Sequence, residues 1–137
     1  MKRVMVFGTF DILHPGHIYF LKQAKKYGDF LIVSIARQKH IQRIKGRDAI
    51  HSERERKKLL EAVKYVNKVV LGSKDDYIGH ILRQKPDIIV LGYDQKHFTE
   101  RLGRKLGKKG LNVRIVRLKA YKSGIYKSSK FLHGKAL

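Results

Sequence analysis

Two histidines that lie three residues apart are the side chains best suited to chemistry in this 137-residue chain. His14 and His17 follow Gly-Thr-Phe-Asp and surround Pro15 and Gly16. Proline favours the first turn of a helix, so both imidazoles should share one face at the positive end of that helix. Backbone N–H groups at a helix start bind phosphate, and two imidazole donors suit a transition state whose phosphoryl oxygens gain charge. The segment therefore predicts phosphate chemistry.

The same pair of histidines has two other interpretations. It could bind a metal, although the sequence offers no third ligand of suitable type nearby. It could also belong to a capped helix without further function. Gly8 and Gly16 favour a close approach of the backbone to a ligand. Because no Ser, Cys or Lys pairs with a base here, we expect no covalent intermediate.

Short apolar runs alternate with amphipathic stretches along the chain, which predicts an α/β fold. The expected architecture is a Rossmann-like, doubly wound sheet of five parallel strands with helices on both faces. The predicted strands cover residues 3–8, 30–36, 68–71, 87–91 and 112–118. Ligands of such sheets bind beyond the carboxyl ends of the strands at the topological switch point. This indicates the ends of the first and fourth strands and the loop after the fifth.

The predicted helices cover residues 15–27, a stretch from Ser52 through Val63, a stretch from Asp75 or Asp76 to before Pro86, and residues 98–109. Residues 37–47 are expected to form a basic loop, and 119–137 a loop with a short helix. Apolar side chains at helical spacing should face the sheet, namely Ile18, Leu21 and Ala24, then Leu59, Leu60 and Val63, then Leu102 and Leu106. Ser52 and Glu55 predict a capping box, and Gly28 and Gly110 the ends of two helices.

The charge is strongly positive, with 32 Lys and Arg against 11 Asp and Glu, for a formal net charge of +21. Such a surface attracts anionic partners, from nucleotides to nucleic acids. Because the cations are spread along the chain, an ordinary solvated surface remains the alternative to a nucleic-acid interface. Residues 103–108 superficially resemble a phosphate loop, but their spacing is wrong and they lie inside a predicted helix.

The chain contains no Cys, which excludes disulfides and thiolate metal sites and fits a reducing cytoplasm. Its apolar runs are far shorter than the roughly 20 residues that span a bilayer, so we expect no membrane partner. The apolar stretch after Met1 is too short for a signal peptide. We therefore expect a cytoplasmic protein that forms one domain over residues 1–137.

The segment from Gly8 to His17, Gly-Thr-Phe-Asp-x-x-His-x-Gly-His, closely resembles the signature of the cytidylyltransferase-like nucleotidylyltransferase superfamily. The resemblance extends over nearly the whole chain. Residues 45–56 are similar to the family's basic loop and Arg-bearing helix. Residues 64–69 look like the subunit contact of glycerol-3-phosphate cytidylyltransferases. Residues 85–95, which end in Leu-Gly-Tyr-Asp-Gln, most resemble archaeal FAD synthases, which adenylylate FMN.

The resemblance implies roles for individual residues. His14 and His17 would be catalytic. The nucleotide would be bound by Thr9, Phe10, His14, Pro15, Gly16, His17, Asp94, Tyr121, Ser128 and Ser129. Phosphates of the acceptor or nucleotide would meet Asp11, Lys45, Arg47 and Arg56. Asp94 would bind the ribose hydroxyls, for which a carboxylate is well suited. Read without the resemblance, Lys45 and Arg47 fit an ordinary charged loop equally well.

The C-terminal match to the family is weaker. Relatives usually carry Arg-Thr-x-Gly-Ile-Ser-Thr-Thr, whereas residues 121–130 read Tyr-Lys-Ser-Gly-Ile-Tyr-Lys-Ser-Ser-Lys. Ser128 and Ser129 can still cap a helix and bond phosphate oxygens. The family's Arg is absent, so Lys122 or Lys127 would have to supply its charge. Tyr121 could contact the nucleotide or simply pack, which leaves the base preference open.

The resemblance implies transfer of AMP from ATP to FMN, which gives FAD and pyrophosphate by direct in-line attack on the α-phosphate, with Mg²⁺ as cofactor and a homodimer as the assembly. One alternative is a CTP-dependent enzyme acting on glycerol-3-phosphate or a similar phospho-alcohol. Another is a nucleic-acid-binding protein on the same scaffold, suggested only by the charge. Tyr93 follows the fourth strand, where it could pack on a flat isoalloxazine or base, or be a core residue.

Overall fold

The computed structural model describes residues 1–47, 49–73, 75–93, 95 and 100–119. Within these residues a five-stranded sheet has the order β3-β2-β1-β4-β5, and every neighbouring pair is parallel. The strands are β1 (Arg3–Gly8), β2 (Phe30–Ile35), β3 (Lys68–Leu71), β4 (Ile88–Leu91) and β5 (Arg114–Arg117). The strand order reverses between β1 and β4, so the predicted Rossmann-like architecture is confirmed and its switch point lies between these two strands.

Helices cover both faces of the sheet: α1 (Pro15–Lys25), α2 (Gln38–Lys45), α3 (Glu53–Glu61), α4 (Tyr77–Gln84) and α5 (Glu100–Lys108). Alternation along β1 divides the core into two layers. Val4 and Val6 pack with residues of α1 and α3, whereas Met5 and Phe7 pack with residues of α4 and α5. Within the described residues, no helix combines the length and apolarity needed to cross a membrane.

Several local predictions are confirmed. Ser52 and Glu55 form the capping box of α3, and Asp76, one of the two proposed caps, caps the start of α4 by accepting a hydrogen bond from the Gly79 N–H. Gly110 follows α5 with a positive φ of 90°. The inward positions Leu21, Ala24, Leu60, Leu102 and Leu106 are all buried.

The predicted basic loop at residues 37–47 is wrong, because α2 occupies most of it. Ile41 of this helix is buried, and Gly46 ends the helix in the left-handed conformation with φ 69°. The start of α2 has no side-chain cap of its own. Instead Glu53, at the start of α3, accepts a hydrogen bond from the Gln38 N–H at 3.0 Å and pairs with Arg37 at 3.4 Å. A contact distant in sequence therefore stabilises a helix that local patterns do not indicate.

Two of the predicted inward residues face outward, and one glycine has another role. Ile18 is 36% exposed and Leu59 is 43% exposed. α1 ends at Lys25 and not at residue 27. Gly28 is required for a close approach, since a Cβ there would lie 2.7 Å from the Lys2 carbonyl oxygen. The backbone at Gly28 thus packs closely against the residue just before β1.

Candidate active site

His14 caps the start of α1, and Pro15 lies in the first helical turn as expected. Its Nδ1 accepts a hydrogen bond from the Gly16 N–H at 3.1 Å, and its carbonyl accepts one from the His17 N–H at 2.9 Å. An Nδ1 that accepts places the proton of the neutral ring on Nε2. Burial lowers the pKa of His14, which favours this neutral form. The ring can therefore offer a single Nε2–H donor.

The ring of His17 stacks on that of His14, with centroids 3.8 Å apart and planes inclined by 22°. Its other side meets the ring of Phe10 edge-on, at 5.2 Å between centroids. Burial and the neighbouring His14 lower the pKa of His17 to about 3, opposed by a hydrogen bond to the Ile12 backbone. Both lowered pKa values favour neutral rings at neutral pH, since two imidazoles in contact cannot readily both carry charge.

Phe10 has an uncommon backbone conformation for a residue with a side chain, with φ at 50°. Its ring is only 6% exposed and folds back over Gly8. A Cβ on Gly8 would lie 2.6 Å from the Phe10 Cε2. The expectation that Gly8 makes room for a ligand is therefore corrected, because the neighbour it makes room for is Phe10. The N–H of Gly16 is likewise engaged, by His14.

Asp11 and Arg56 were both expected at substrate phosphates, and the structure places both in the interior. Asp11 is 2% exposed, and its carboxylate accepts hydrogen bonds from the N–H groups of Ile50 and His51, each at 2.8 Å. Asp11 therefore fixes the segment before α3 to the loop after β1. A carboxylate that is buried and bonded in this way is not placed to contact a phosphate directly.

Arg56 is completely buried on α3. Its guanidinium donates to the carbonyls of Thr9 at 3.0 Å, Ala36 at 2.8 Å and His51 at 3.2 Å. Burial lowers the pKa of Arg56, and the negative charge of nearby Asp11 opposes this effect. All three acceptors are backbone atoms of different loops, so Arg56 connects these loops from below.

The other predicted site residues have varied places. Thr9 is half-buried at the end of β1, beside Phe10. Lys45 is the last residue of α2, and Arg47 follows the left-handed Gly46 and is half-buried. Asp94, Tyr121, Ser128 and Ser129 lie outside the described residues. The structure thus brings Thr9, Phe10, His14, Pro15, Gly16 and His17 together at the end of β1 and the start of α1.

Gln95 is a residue of the switch point that sequence reasoning missed. Its side chain accepts a hydrogen bond from the Gly92 N–H and donates one to the Phe7 carbonyl, both at 2.8 Å. Arg117 donates to the carbonyls of Gln95 at 2.6 Å and Gly92 at 3.1 Å. These bonds connect the carboxyl ends of β1 and β4 and hold Gly92 and Gln95 in place after β4. The signal in the sequence was an amide side chain in the segment that follows the fourth strand.

Two tyrosines follow the carboxyl edge of the sheet, and one of them, Tyr77, lies on the face that α4 and α5 cover. Tyr77 begins α4 and contacts the ring of Phe7, with centroids 5.9 Å apart. Burial raises the pKa of Tyr77. Tyr77 is still 41% exposed and Tyr93 is 36% exposed, so the interpretation of Tyr93 as a core residue is wrong. Sequence reasoning missed Tyr77, because its contact with β1 depends on how α4 packs.

Among the described residues, no three His, Cys, Asp or Glu side chains form a group that could hold a metal ion. The described groups at the start of α1 are backbone amides and two imidazoles whose pKa values are lowered, and such donors suit a polyphosphate.

Comparisons with known proteins agree with this geometry. The model of the family described as cytidylyltransferase-like matches residues 5–133. The FAD synthase of Archaeoglobus profundus is 49% identical over 129 residues, which cover 94% of this chain and 82% of that protein. The FAD synthase of Thermococcus sibiricus is 46% identical over 132 residues, with 95% and 89% covered.

A solved structure of the lipopolysaccharide core biosynthesis protein from Thermoplasma volcanium is also similar, at 46% identity and a TM-score of 0.83. The similarity covers 89% of this chain and 99% of that one. Family signature, fold and sequence identity thus coincide over almost the whole chain. The protein belongs to the cytidylyltransferase-like family.

Proposed function

We propose that this protein is an FMN adenylyltransferase, which transfers AMP from ATP to FMN and releases pyrophosphate. The observation that carries the proposal is the identity of 43–49% to six FAD synthases from archaea, which covers at least 84% of this chain in each case. The loop and helix start expected to bind triphosphate lie at the switch point, where folds of this kind bind nucleotides.

In the proposed reaction a phosphate oxygen of FMN attacks the α-phosphorus of ATP in line. A new P–O bond forms, the bond from the α-phosphorus to the bridging oxygen breaks, and pyrophosphate leaves with the electron pair. No protein nucleophile is required, because FMN supplies the attacking oxygen. The protein contributes positioning and electrostatic stabilisation, which are the main sources of catalysis in phosphoryl and nucleotidyl transfer.

His14 and His17 are the proposed catalytic donors. The Nε2–H of His14 at the start of α1 would donate to a phosphate oxygen, where the helix dipole also favours negative charge. The negative charge that the phosphoryl oxygens gain in the transition state would strengthen a hydrogen bond from His17, and would favour its protonated form against the burial that lowers its pKa. His17 would then act mainly in the transition state and contribute little to ATP binding.

A divalent cation, Mg²⁺ in this proposal, would come to the site with the triphosphate, as part of the substrate MgATP. Mg²⁺ in proteins is usually bound through one or two carboxylates together with substrate phosphates, which fits delivery with ATP. Lys45 and Arg47 are proposed to meet phosphates from the end of α2. Asp94 is proposed to bind the ribose, and Tyr121, Ser128 and Ser129 to contact the nucleotide.

The flat isoalloxazine of FMN is proposed to pack on Tyr77 and Tyr93. Both rings are partly exposed at the carboxyl edge of the sheet, and Phe7 supports Tyr77 from the core. Offset stacking of aromatic rings contributes about 0.5–1.5 kcal/mol beyond buried area. The phosphate-binding residues lie at the start of α1, so this arrangement would place FMN and the triphosphate on opposite sides of the end of β1.

The proposal is tested by measuring pyrophosphate release with ATP or CTP against FMN, glycerol-3-phosphate, phosphoethanolamine and 4′-phosphopantetheine. Formation of FAD from ATP and FMN, identified by chromatography, is the expected result. Formation of CDP-glycerol without FAD would contradict it and support the CTP-dependent alternative.

A homodimer is proposed through residues 64–69, a segment that runs into β3. This strand lies at one end of the strand order, where the backbone edge of a sheet can pair with another chain. Asn67 anchors the segment to the rest of the protein, because it donates to the Leu31 carbonyl and accepts from the Leu31 N–H. The segment is thus held rigidly at the surface.

Affinity for nucleic acid is a second candidate property, favoured by one face of α5. Arg101, Arg104, Lys105 and Lys108 are exposed there at helical spacing, opposite the buried Leu102 and Leu106. A phosphate backbone is recognised by such cations largely without regard to sequence. RNA binding that weakens steeply with salt, without pyrophosphate release in the substrate grid, would favour this role over catalysis.

A further inference from the structure

The buried guanidinium of Arg56 lies directly beneath the loop that is proposed to bind ATP. Its Nη1 donates both to Thr9, in that loop, and to Ala36, just after β2. Its Nε donates to His51, just before α3. Burying a charge is costly, and the bonds that Nη1 and Nε donate to these three carbonyls offset part of that cost, while Nη2 is buried without a hydrogen-bond partner among the described residues. The carbonyls and the Arg56 side chain therefore hold one another in place.

The orientation of the Thr9 carbonyl fixes the direction in which the next N–H group, that of Phe10, points. The structure contains no cis peptide bonds among the described residues. In a planar trans peptide the carbonyl and the following N–H point in opposite directions. Because the Thr9 carbonyl points inward to Arg56, the N–H of Phe10 points outward, away from the buried guanidinium. This is the orientation that a donor to bound phosphate requires.

The same peptide precedes a residue with a strained backbone. Phe10 has a φ of 50°, and residues with side chains keep this conformation only where their surroundings enforce it. Packing of the Phe10 ring over Gly8 constrains one side of the residue, and the bond from Arg56 to Thr9 constrains the other. Without the guanidinium, the Thr9–Phe10 peptide would be free to rotate to a relaxed conformation.

We propose that Arg56 is a positioning residue that aims the Phe10 N–H at the triphosphate of ATP. It acts through the Thr9 carbonyl and does not touch the substrate. A cation bonded to this carbonyl also polarises the peptide, which makes the Phe10 N–H a stronger donor. The inference rests on the proposed function in taking ATP as the nucleotide, and it replaces the expectation that Arg56 contacts phosphate itself.

The test compares ¹⁵N-labelled wild-type protein with Arg56→Lys and Arg56→Met during titration with MgATP alone. Lysine keeps the charge but cannot form the planar fork that spans three carbonyls. We expect the Phe10 amide signal to shift strongly on ATP binding in the wild type and weakly in both variants. The dissociation constant for ATP should rise about 10-fold, the equivalent of one lost hydrogen bond, while that for FMN changes less than about 2-fold.

Arg54→Met is the matched control, since Arg54 is exposed on the same helix and should leave ATP binding unchanged. If Arg56→Met does not fold, Arg56→Ala with added guanidinium ion replaces it, and partial recovery of ATP affinity supports the inference. Folded Arg56 variants with wild-type ATP affinity would overturn it. So would an equal loss of ATP and FMN affinity that follows the loss of folded protein. Failure of the wild type to bind ATP would instead contradict the proposed function.

Discussion

The imidazole rings of His14 and His17 stack on one another at 3.8 Å, across the first turn of α1. The contact joins the residue that caps the helix to a residue inside it. Because the rings are in contact, a positive charge on one makes protonation of the other less favourable. This repulsion is one of the causes that lower the pKa of His17. The two histidines therefore influence each other directly, and changes to either ring should affect the other.

Replacement of His17 by Ala should lower turnover by on the order of 10²–10³-fold, the usual effect of removing one donor to a transition state. ATP binding and the fold should be retained, because His14 still caps α1. Steady-state kinetics, ATP titration and circular dichroism measure the three properties. Turnover close to that of the wild type would remove the catalytic role of His17.

Acid should destabilise the protein partly through His17. The pKa of this ring is about 3 when folded, against an ordinary value of about 6.5 in the unfolded chain. Between these values the unfolded chain binds a proton that the folded site rejects, so the free energy of unfolding falls as the pH falls through this window. Urea unfolding at about pH 7 and about pH 5 measures how much free energy of unfolding each protein loses on acidification. This loss should be smaller for His17→Asn than for the wild type. Equal losses would contradict the assignment.

Gly8→Ala should impair ATP binding by displacing the Phe10 ring, since the new Cβ would lie 2.6 Å from Phe10 Cε2. The matched control is Gly107→Ala, because a Cβ on Gly107 meets nothing within 4 Å. The control should raise the free energy of unfolding by about 0.5–1 kcal/mol through helix propensity and leave ATP affinity unchanged. Isothermal titration and urea unfolding distinguish the two variants. Normal ATP affinity in Gly8→Ala would mean that the position of the Phe10 ring is irrelevant to binding.

Tyr77→Leu and Tyr93→Leu should each weaken FMN binding by about 2–10-fold, from the loss of one stacking contact. ATP affinity should not change, because the triphosphate is proposed to bind on the other side of β1. Quenching of flavin fluorescence reports FMN binding directly. Tyr19→Leu serves as the control, since Tyr19 is 38% exposed on the outer surface of α1. An effect of Tyr19→Leu as large as those of the other two would argue against a specific flavin site.

Light scattering should give the mass of a dimer, about twice 15.9 kDa, at micromolar protein. Lys68→Pro on β3 should shift the population towards monomer, because proline cannot donate a hydrogen bond to a neighbouring strand. A wild-type monomer across this concentration range would exclude the proposed assembly.

The sequence alone determined the parallel α/β fold, the switch point and the position of the segment that is proposed to bind phosphate. These depend on local signals, such as apolar runs, capping residues and the Pro15 that starts α1, and each signal is complete within a few residues of the chain. Only the tertiary structure decided which polar residues of these segments are buried. Asp11 and Arg56 look like phosphate contacts in the sequence, but packing turns both inward to backbone partners up to 47 residues away. α2 likewise depends on Glu53 from another helix. Burial and partners that are distant in sequence set these outcomes, and periodicity carries no information about them.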